Sequence, residues 1–192
     1  MRLFVAINLP AVERSAIRAA TRRMRDVARG ISWVSEDCLH VTIKFLGEQT
    51  DEGADTLSRA LSNLAVWHRP LLLELGGLGA FPNLRKPRII WLAVTPESKL
   101  ELLHHDVESA CGVLGHELDG RPFRPHITLG RVRRPVTDAA ARALAGEARA
   151  VRYRGVAEAF SLDLMSSGLS KTGPRYGLIA SAPLLGASAQ LP

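Results

Sequence analysis

Cysteine is scarce in this chain, which has only Cys38 and Cys111 among its 192 residues. Two distant cysteines without a CxxC pair argue against a disulfide framework and against a zinc knuckle. No apolar run reaches the roughly 18 residues of a membrane span. The short apolar stretch at residues 3–7 lacks the flanks and cleavage pattern of a signal peptide. We therefore expect a cytoplasmic protein with no membrane attachment and no metal site.

Acidic residues are outnumbered by basic ones, 19 against 25, which leaves a net charge of +6 and a pI near 10.0. Such a charge attracts polyanions such as RNA, but it also serves solubility alone, and composition does not separate the two. Hydrophobic residues make up 46% of the chain, enough for a substantial core. The phosphate-binding pattern GxxxxGK[ST] is absent from the sequence.

Hydrophobic periodicity predicts strands and helices that alternate through two comparable halves. We expect one compact α+β domain, residues 1–192, in which a duplicated unit forms two lobes around a groove. Breaker-rich segments predict loops at 76–82 and 166–174, and the tail after about residue 183 is expected to be loose. Predicted strands are Arg2–Asn8, 39–46, 71–75, 89–94, 127–132, 151–153, 156–164 and 175–181, and predicted helices are 10–29, about 57–65, 100–114 and 138–147.

One short pattern occurs twice, once in each half. The first copy is His40-Val41-Thr42-Ile43 and the second is His126-Ile127-Thr128-Leu129. Because side chains alternate faces along a strand, each copy presents its histidine and threonine together and packs its two apolar residues on the other side. Two such strands side by side place two imidazoles and two hydroxyls around one small site.

This set of groups suits the hydrolysis of a cyclic phosphodiester. One imidazole deprotonates water while the other, as imidazolium, protonates the leaving oxygen on the opposite side of the phosphorus. The hydroxyls of Thr42 and Thr128 donate to the non-bridging oxygens. The scheme requires no metal and no cofactor, and its symmetry leaves open whether His40 or His126 is the acid.

The chain resembles the two-histidine phosphoesterase superfamily, and within it the RNA 2′,3′-cyclic phosphodiesterases, also called 2′-5′ RNA ligases. It departs from the family pattern at 166–169, where relatives commonly read Glu-Ser-x-Leu, and at Gly130, where alanine is frequent. The resemblance is carried by blocks that run from the first predicted strand to the last, at residues 2–7, 39–47, 76–82, 87–92, 121–129 and 173–176.

The resemblance implies two antiparallel sheets that line a central water-filled cleft, with helices on the outside. It also implies hydrolysis of RNA 2′,3′-cyclic ends to 2′-phosphomonoesters. Nothing in the sequence demands more than a monomer. By resemblance His40 is the proton donor, His126 is the proton acceptor, and Thr42, Thr128 and Arg131 bind the phosphate. Strict alternation turns Arg131 away from His126, so a bulge or strand end has to redirect it.

Other substrates and activities stay open at this point. Small cyclic nucleotides are an alternative substrate. Ligation of the cyclic phosphate to a 5′-hydroxyl, which makes a 2′-5′ bond, is an alternative reaction. A basic RNA-binding module without turnover is the alternative from another class.

Three further residues are candidates for the rim of the cleft. Lys44 shares the parity of His40 and Thr42, so it either adds positive potential to the site or extends into solvent. Phe81 either stacks on a base or packs under its loop. Arg175 is placed at the rim, and Trp91 is assigned to the core.

Overall fold

The computed structural model of the protein describes residues 1–28, 30–133, 136–170 and 173–187. The strands are β1 Arg2–Asn8, β2 Ile31–Trp33, β3 His40–Glu48, β4 Leu71–Phe81, β5 Ile89–Val94, β6 His126–Val132, β7 Arg154–Ala159, β8 Ser161–Ser170 and β9 Gly173–Pro183. The helices are α1 Ala11–Ala20, α2 Arg22–Val27, α3 Asp51–Ala65, α4 Ser98–Val113 and α5 Asp138–Ala150, with one 3-10 turn at Glu36–Cys38.

The strands pair in the order β7-β4-β5-β6-β3-β1-β8-β9, and β2 pairs with β6. The two motif strands β3 and β6 are therefore neighbours at the centre, and Val41 pairs with Ile127 between them. Every pairing is antiparallel. The sheet is thus two antiparallel halves joined by the motif strands, which confirms the predicted α+β class and cleft.

Helices cover one face of the sheet. Helices α3 and α4 pack on the half that contains β3, β8 and β9, while α1 and α5 pack on β7 and β4. Alternate residues of the strands point into this layer, where they form the main hydrophobic cluster. The opposite face curls around the cleft. Among the described residues, no helix has the length and apolar character that a membrane crossing requires.

The predicted helix at 10–29 is two helices, because the helix is interrupted at Thr21. The Thr21 hydroxyl donates to the Ile17 carbonyl at 2.7 Å and accepts from Arg25 Nη1 at 2.8 Å. Such side-chain bonds compete with the regular helix ladder. Arg29, the predicted helix end, lies outside the described residues.

Both predicted loops are largely strand. Residues 76–81 continue β4, with a register shift between Leu75 and Leu78 that accommodates Gly77 at φ 80°. Glycine adopts this left-handed conformation without steric cost, so it marks a bulge here rather than a strand end. Residues 166–170 and 173–174 extend β8 and β9, while 171 and 172 lie outside the described residues.

The chain beyond β9 is held against the body as far as Ala187. Leu184 is buried, and the amides of Gly186 and Ala187 donate to the carbonyls of His68 and Val66 at 2.9 and 2.7 Å. The expectation of a loose tail is therefore wrong for residues 184–187. Residues 188–192 lie outside the described part of the chain.

Candidate active site

His40 is the first residue of β3 and is oriented by two hydrogen bonds. Its Nδ1 lies 2.8 Å from the Cys38 carbonyl oxygen and its Nε2 lies 3.0 Å from Thr42 Oγ1. A carbonyl only accepts, so Nδ1 carries the proton. In the neutral ring Nε2 therefore accepts from the Thr42 hydroxyl.

His126 begins β6 and is held in the same way. Its Nδ1 lies 2.7 Å from the carbonyl oxygen of Arg124, again two residues upstream. Each motif thus fixes its imidazole with Nδ1 on the backbone and leaves Nε2 as the nitrogen for proton exchange. This bond between residues i and i−2 comes from the local chain, so the sequence repeat produces the geometric repeat.

The register of the central strands sets the four motif side chains against each other. Val41 pairs with Ile127. The same antiparallel register, continued by one residue on each strand, places His40 across from Thr128 and Thr42 across from His126. The two histidines are then diagonal neighbours, a relation that spans about 7–8 Å in antiparallel pairs. A phosphate between them is within reach of both threonines.

Arg131 reaches the cleft face because β6 contains an extra residue. Ile90 pairs with Gly130 but Trp91 pairs with Thr128, so Leu129 is inserted between two ladder positions. A side chain at Gly130 points at Ile31 and Trp33 on the helix side of the sheet, which puts Arg131 on the other face. The positive charge of Arg131 is close enough to His40 to lower its pKa. The structure therefore supplies the bulge that the sequence required.

Lys44 does not face the cleft, contrary to the prediction. Val5 pairs with Lys44 and Ala6 with Thr42, so Ile43 is an extra residue that inverts the alternation of β3. Lys44 is 4% exposed, and its Nζ donates to Glu108 Oε2 at 2.7 Å and to the Glu117 carbonyl at 2.8 Å. Phe45 takes its place on the cleft face, 6.2 Å from the Phe4 ring.

Aromatic rings flank each histidine. His40 lies 5.0 Å from the ring of Phe4 and 5.2 Å from that of Tyr176. His126 lies 5.3 Å from Phe81 and 6.5 Å from Trp91. Phe81 is thus beside the second histidine.

These contacts correct one sequence-based assignment and add two residues that the sequence analysis missed. Trp91 is half-buried on the cleft face, so its assignment to the core was wrong. Tyr176 and Phe4 were missed, although both stand in blocks that carry the family resemblance. Arg175 is exposed on β9, and the pleat turns it to the face opposite Tyr176, so its place at the rim stays a prediction.

Comparison with known proteins decides the family. A sequence model described as the 2′-5′ RNA ligase superfamily matches residues 12–166. The chain belongs to this superfamily. It is 34% identical over 134 residues to an RNA 2′,3′-cyclic phosphodiesterase of Archaeoglobus fulgidus, covering 70% of this chain and 74% of that protein.

Two further relatives extend the likeness over nearly the whole chain. The RNA 2′,3′-cyclic phosphodiesterase of Geobacillus stearothermophilus is 35% identical over 187 residues, 96% of this chain, and the chain spans 57% of that protein's length. The crystal structure of a Thermus thermophilus protein superposes with a TM-score of 0.81 at 29% identity, covering 98% of this chain and 100% of that one. Sequence and fold therefore place the chain in the same superfamily.

In the free protein His40 is neutral at pH 7. The pKa of His40 is lowered from 6.5 to about 4, chiefly by burial; the Cys38 carbonyl bond opposes the shift, and the charges of Arg131 and His126 add to it. Burial also raises the pKa of Tyr176, which is therefore a neutral phenol beside His40. The free site thus has a neutral imidazole where the resemblance assigns an acid.

In the part of the chain that the structure describes, no group of three or more His, Cys, Asp or Glu side chains is placed to hold a metal ion.

Proposed function

We propose that the protein hydrolyses the 2′,3′-cyclic phosphate at an RNA end to a 2′-phosphomonoester. The observation that carries this proposal is the pair of histidines on the central strands, each fixed through Nδ1 to the carbonyl two residues upstream. The names of the relatives support hydrolysis of RNA cyclic ends over ligation and over binding without turnover.

The reaction transfers one proton on each side of the phosphorus. His126 Nε2 takes a proton from water as the water oxygen bonds to phosphorus. The bond from phosphorus to O3′ breaks, and O3′ takes the proton from His40 Nε2. Thr42, Thr128 and Arg131 hold the non-bridging oxygens as their charge grows. Each acid or base contributes about 10²–10⁴ in rate.

The proton on His40 arrives with the substrate. In the free protein His40 Nε2 accepts from Thr42, and its low pKa keeps the ring neutral. An anionic phosphate in the cleft offsets the charge of Arg131 and favours the imidazolium, which raises the pKa. Binding therefore both places the phosphate and charges the acid.

The test uses an RNA oligonucleotide with a 2′,3′-cyclic phosphate end, incubated with the protein in EDTA. We expect a 2′-phosphate product, and His40→Ala and His126→Ala should each lose about 10²–10⁴ in kcat while keeping the wild-type circular dichroism spectrum. The exposed His105 on α4 supplies the matched control, His105→Ala, with unchanged turnover. Unchanged RNA with wild-type protein, or full activity in either motif variant, contradicts the proposal.

We further propose that the chain acts as a single-domain monomer in the cytoplasm on RNA ends or small cyclic nucleotides. Both motifs lie on adjacent strands of one chain, so one copy supplies both histidines. Light scattering on the purified protein and fractionation of cells test the two parts of this proposal. A dimer at low concentration, or recovery in a membrane fraction, contradicts them.

A further inference from the structure

A row of residues crosses the cleft face from the second histidine to the edge strand β7. His126 on β6 pairs with Ala93 on β5. On β4 the register shift sets Gly76 and Gly77 opposite Ala93, and Gly76 pairs with Arg154 on β7. Residues that pair across a sheet share a face, so these side chains lie in one line on the cleft side.

The two middle positions of this row carry almost no side chain. Ala93 and Gly76 therefore form the floor of a groove between His126 and Arg154. Three strand spacings separate the ends of the row, about 14–15 Å at 4.7–4.9 Å per strand. The groove widens at the β7 end into an open cavity of about 510 Å³ that Gly76, Thr95 and Arg154 help to line.

Arg154 lies flat across Gly76. A Cβ added at Gly76 collides with Arg154 Nη1 and comes within 2.9 Å of its Cδ. The arginine is exposed, and among the residues that the structure describes no hydrogen bond or ion pair engages its guanidinium. A guanidinium that rests over a glycine in an open groove presents its donors to a ligand in that groove.

The other side of the cleft has the opposite character. There the row from Thr42 runs through Ala6 to Asp163, a buried carboxylate that accepts from Asn8 Nδ2 at 2.7 Å and from Ser181 Oγ at 2.6 Å. A phosphodiester chain is repelled on that side and attracted on the side of Arg154. The charges therefore favour a phosphodiester on the Arg154 side of the sheet over the Asp163 side.

We propose that Arg154 binds a backbone phosphate of the RNA upstream of the cyclic end, where the chain lies in the groove over Ala93 and Gly76. This inference rests on the proposed function, since it extends the same site to a longer substrate. The ligand is a phosphodiester of single-stranded RNA, and a mononucleotide is too short to reach it. Glu74 also lines the cavity, and its negative charge repels the RNA backbone from that part of the cavity wall.

The test removes one positive charge from the protein and compares turnover of substrates of different length. Wild-type protein, Arg154→Gln and the control Arg152→Gln are assayed on a nucleoside 2′,3′-cyclic monophosphate and on di- and tetranucleotides with the same end. Arg152 is also exposed, but its guanidinium donates to the Arg149 carbonyl outside the row. We expect Arg154→Gln to lower kcat/KM about three- to tenfold on the tetranucleotide, mainly through KM, as for one exposed charge-assisted contact.

The mononucleotide should be turned over equally by all three proteins. The salt dependence of tetranucleotide binding should become shallower by about 0.7 in the log–log slope, as for one phosphate on a single strand. Gly76→Ala, which displaces the guanidinium, should reproduce the length-dependent loss. Glu74→Gln should leave tetranucleotide affinity equal or tighter.

An equal loss on mononucleotide and tetranucleotide, or no loss on either, overturns the subsite. Failure of the proposed function has a different signature, because the wild-type protein then turns over none of the substrates. In that case fluorescence anisotropy with a labelled tetranucleotide that ends in a 2′-phosphate decides the subsite alone. Weaker binding by Arg154→Gln than by Arg152→Gln supports it, and equal binding overturns it.

Discussion

At the scale of single residues, His40 is unusual because its surroundings oppose the charge that its proposed role needs. The rings of Phe4 and Tyr176 exclude water from one side of the imidazole, and Arg131 adds a positive charge on the cleft side. The hydrogen bond to Cys38 stabilises the imidazolium but does not outweigh burial. Anion binding is the event that reverses this balance.

We therefore expect His40 to titrate near pH 4 in the free protein and at a higher pH in the presence of inorganic phosphate. The sign follows from charge, since an anion favours the protonated ring, and between the two pKa values phosphate binding must take up a proton. Histidine NMR titrations measure the pKa, and calorimetry in buffers of different ionisation enthalpy counts the proton. An unchanged His40 pKa in the complex contradicts the proposed arrival of the proton with the substrate.

At the scale of elements, both motif strands contain bulges, one in β6 and two in β3, and the bulges at Leu129 and Ile43 have opposite consequences. The extra residue Leu129 in β6 turns Arg131 toward the phosphate site. The extra residue Ile43 in β3 turns Lys44 away from it. An inserted residue reverses the face of the side chains that follow it until the next bulge, so the bulges at Leu129 and Ile43 decide which basic residues reach the cleft.

Lys44 consequently ties β3 to the segment that leads into β6. Its buried partner Glu108 also accepts from the Asp119 amide at 3.0 Å. We expect Lys44→Met to lower the free energy of unfolding by about 3–5 kcal/mol, because it leaves a buried carboxylate without its cation. Urea titration measures this loss.

The paired change Lys44→Met with Glu108→Leu should recover most of that stability, since the buried charge is removed with its partner. Lys99→Met, at an exposed position of α4, is the control and should change stability by no more than about 0.5 kcal/mol. A single variant as stable as the control contradicts a buried ion pair.

At the scale of the whole molecule, the end of the described chain closes the helix side of the sheet. Residues 184–187 follow β9 back to the end of α3, where Gly186 and Ala187 bond to His68 and Val66. Leu184 enters the main hydrophobic cluster. This segment therefore belongs to the folded body, although nothing in its local pattern marks it as a strand or helix.

Leu184→Ala should lower the free energy of unfolding by about 2–5 kcal/mol, as for other buried leucines. Leu184 is 3% exposed and the next residue, Leu185, is 63% exposed, so Leu185→Ala is a matched control. The control should stay within about 0.5 kcal/mol of wild type. Thermal and urea unfolding measure both variants, and equal effects contradict the packed position of this segment.

Local pattern was enough to predict most helices and several strands. The spacings of α3, α4 and α5 and the apolar runs of β1 and β5 are signals within one element, and the structure confirms them. The prediction of a loop at 76–82 was wrong because Gly76, Gly77 and Gly79 are, taken alone, residues typical of loops. They are strand residues here because a neighbouring side chain, Trp91 in the case of Gly79, lies over the position.

The sequence by itself determined the composition of the site, because each His-x-Thr-x motif orients its own histidine through the carbonyl two residues upstream and presents its threonine on the same face. Only the tertiary structure decided which other residues join them. Arg131 enters the cleft, Lys44 leaves it, and Phe4, Tyr176 and Trp91 flank the imidazoles. These outcomes depend on bulges and on register between strands far apart in the chain, and a pattern within one strand carries no information about either.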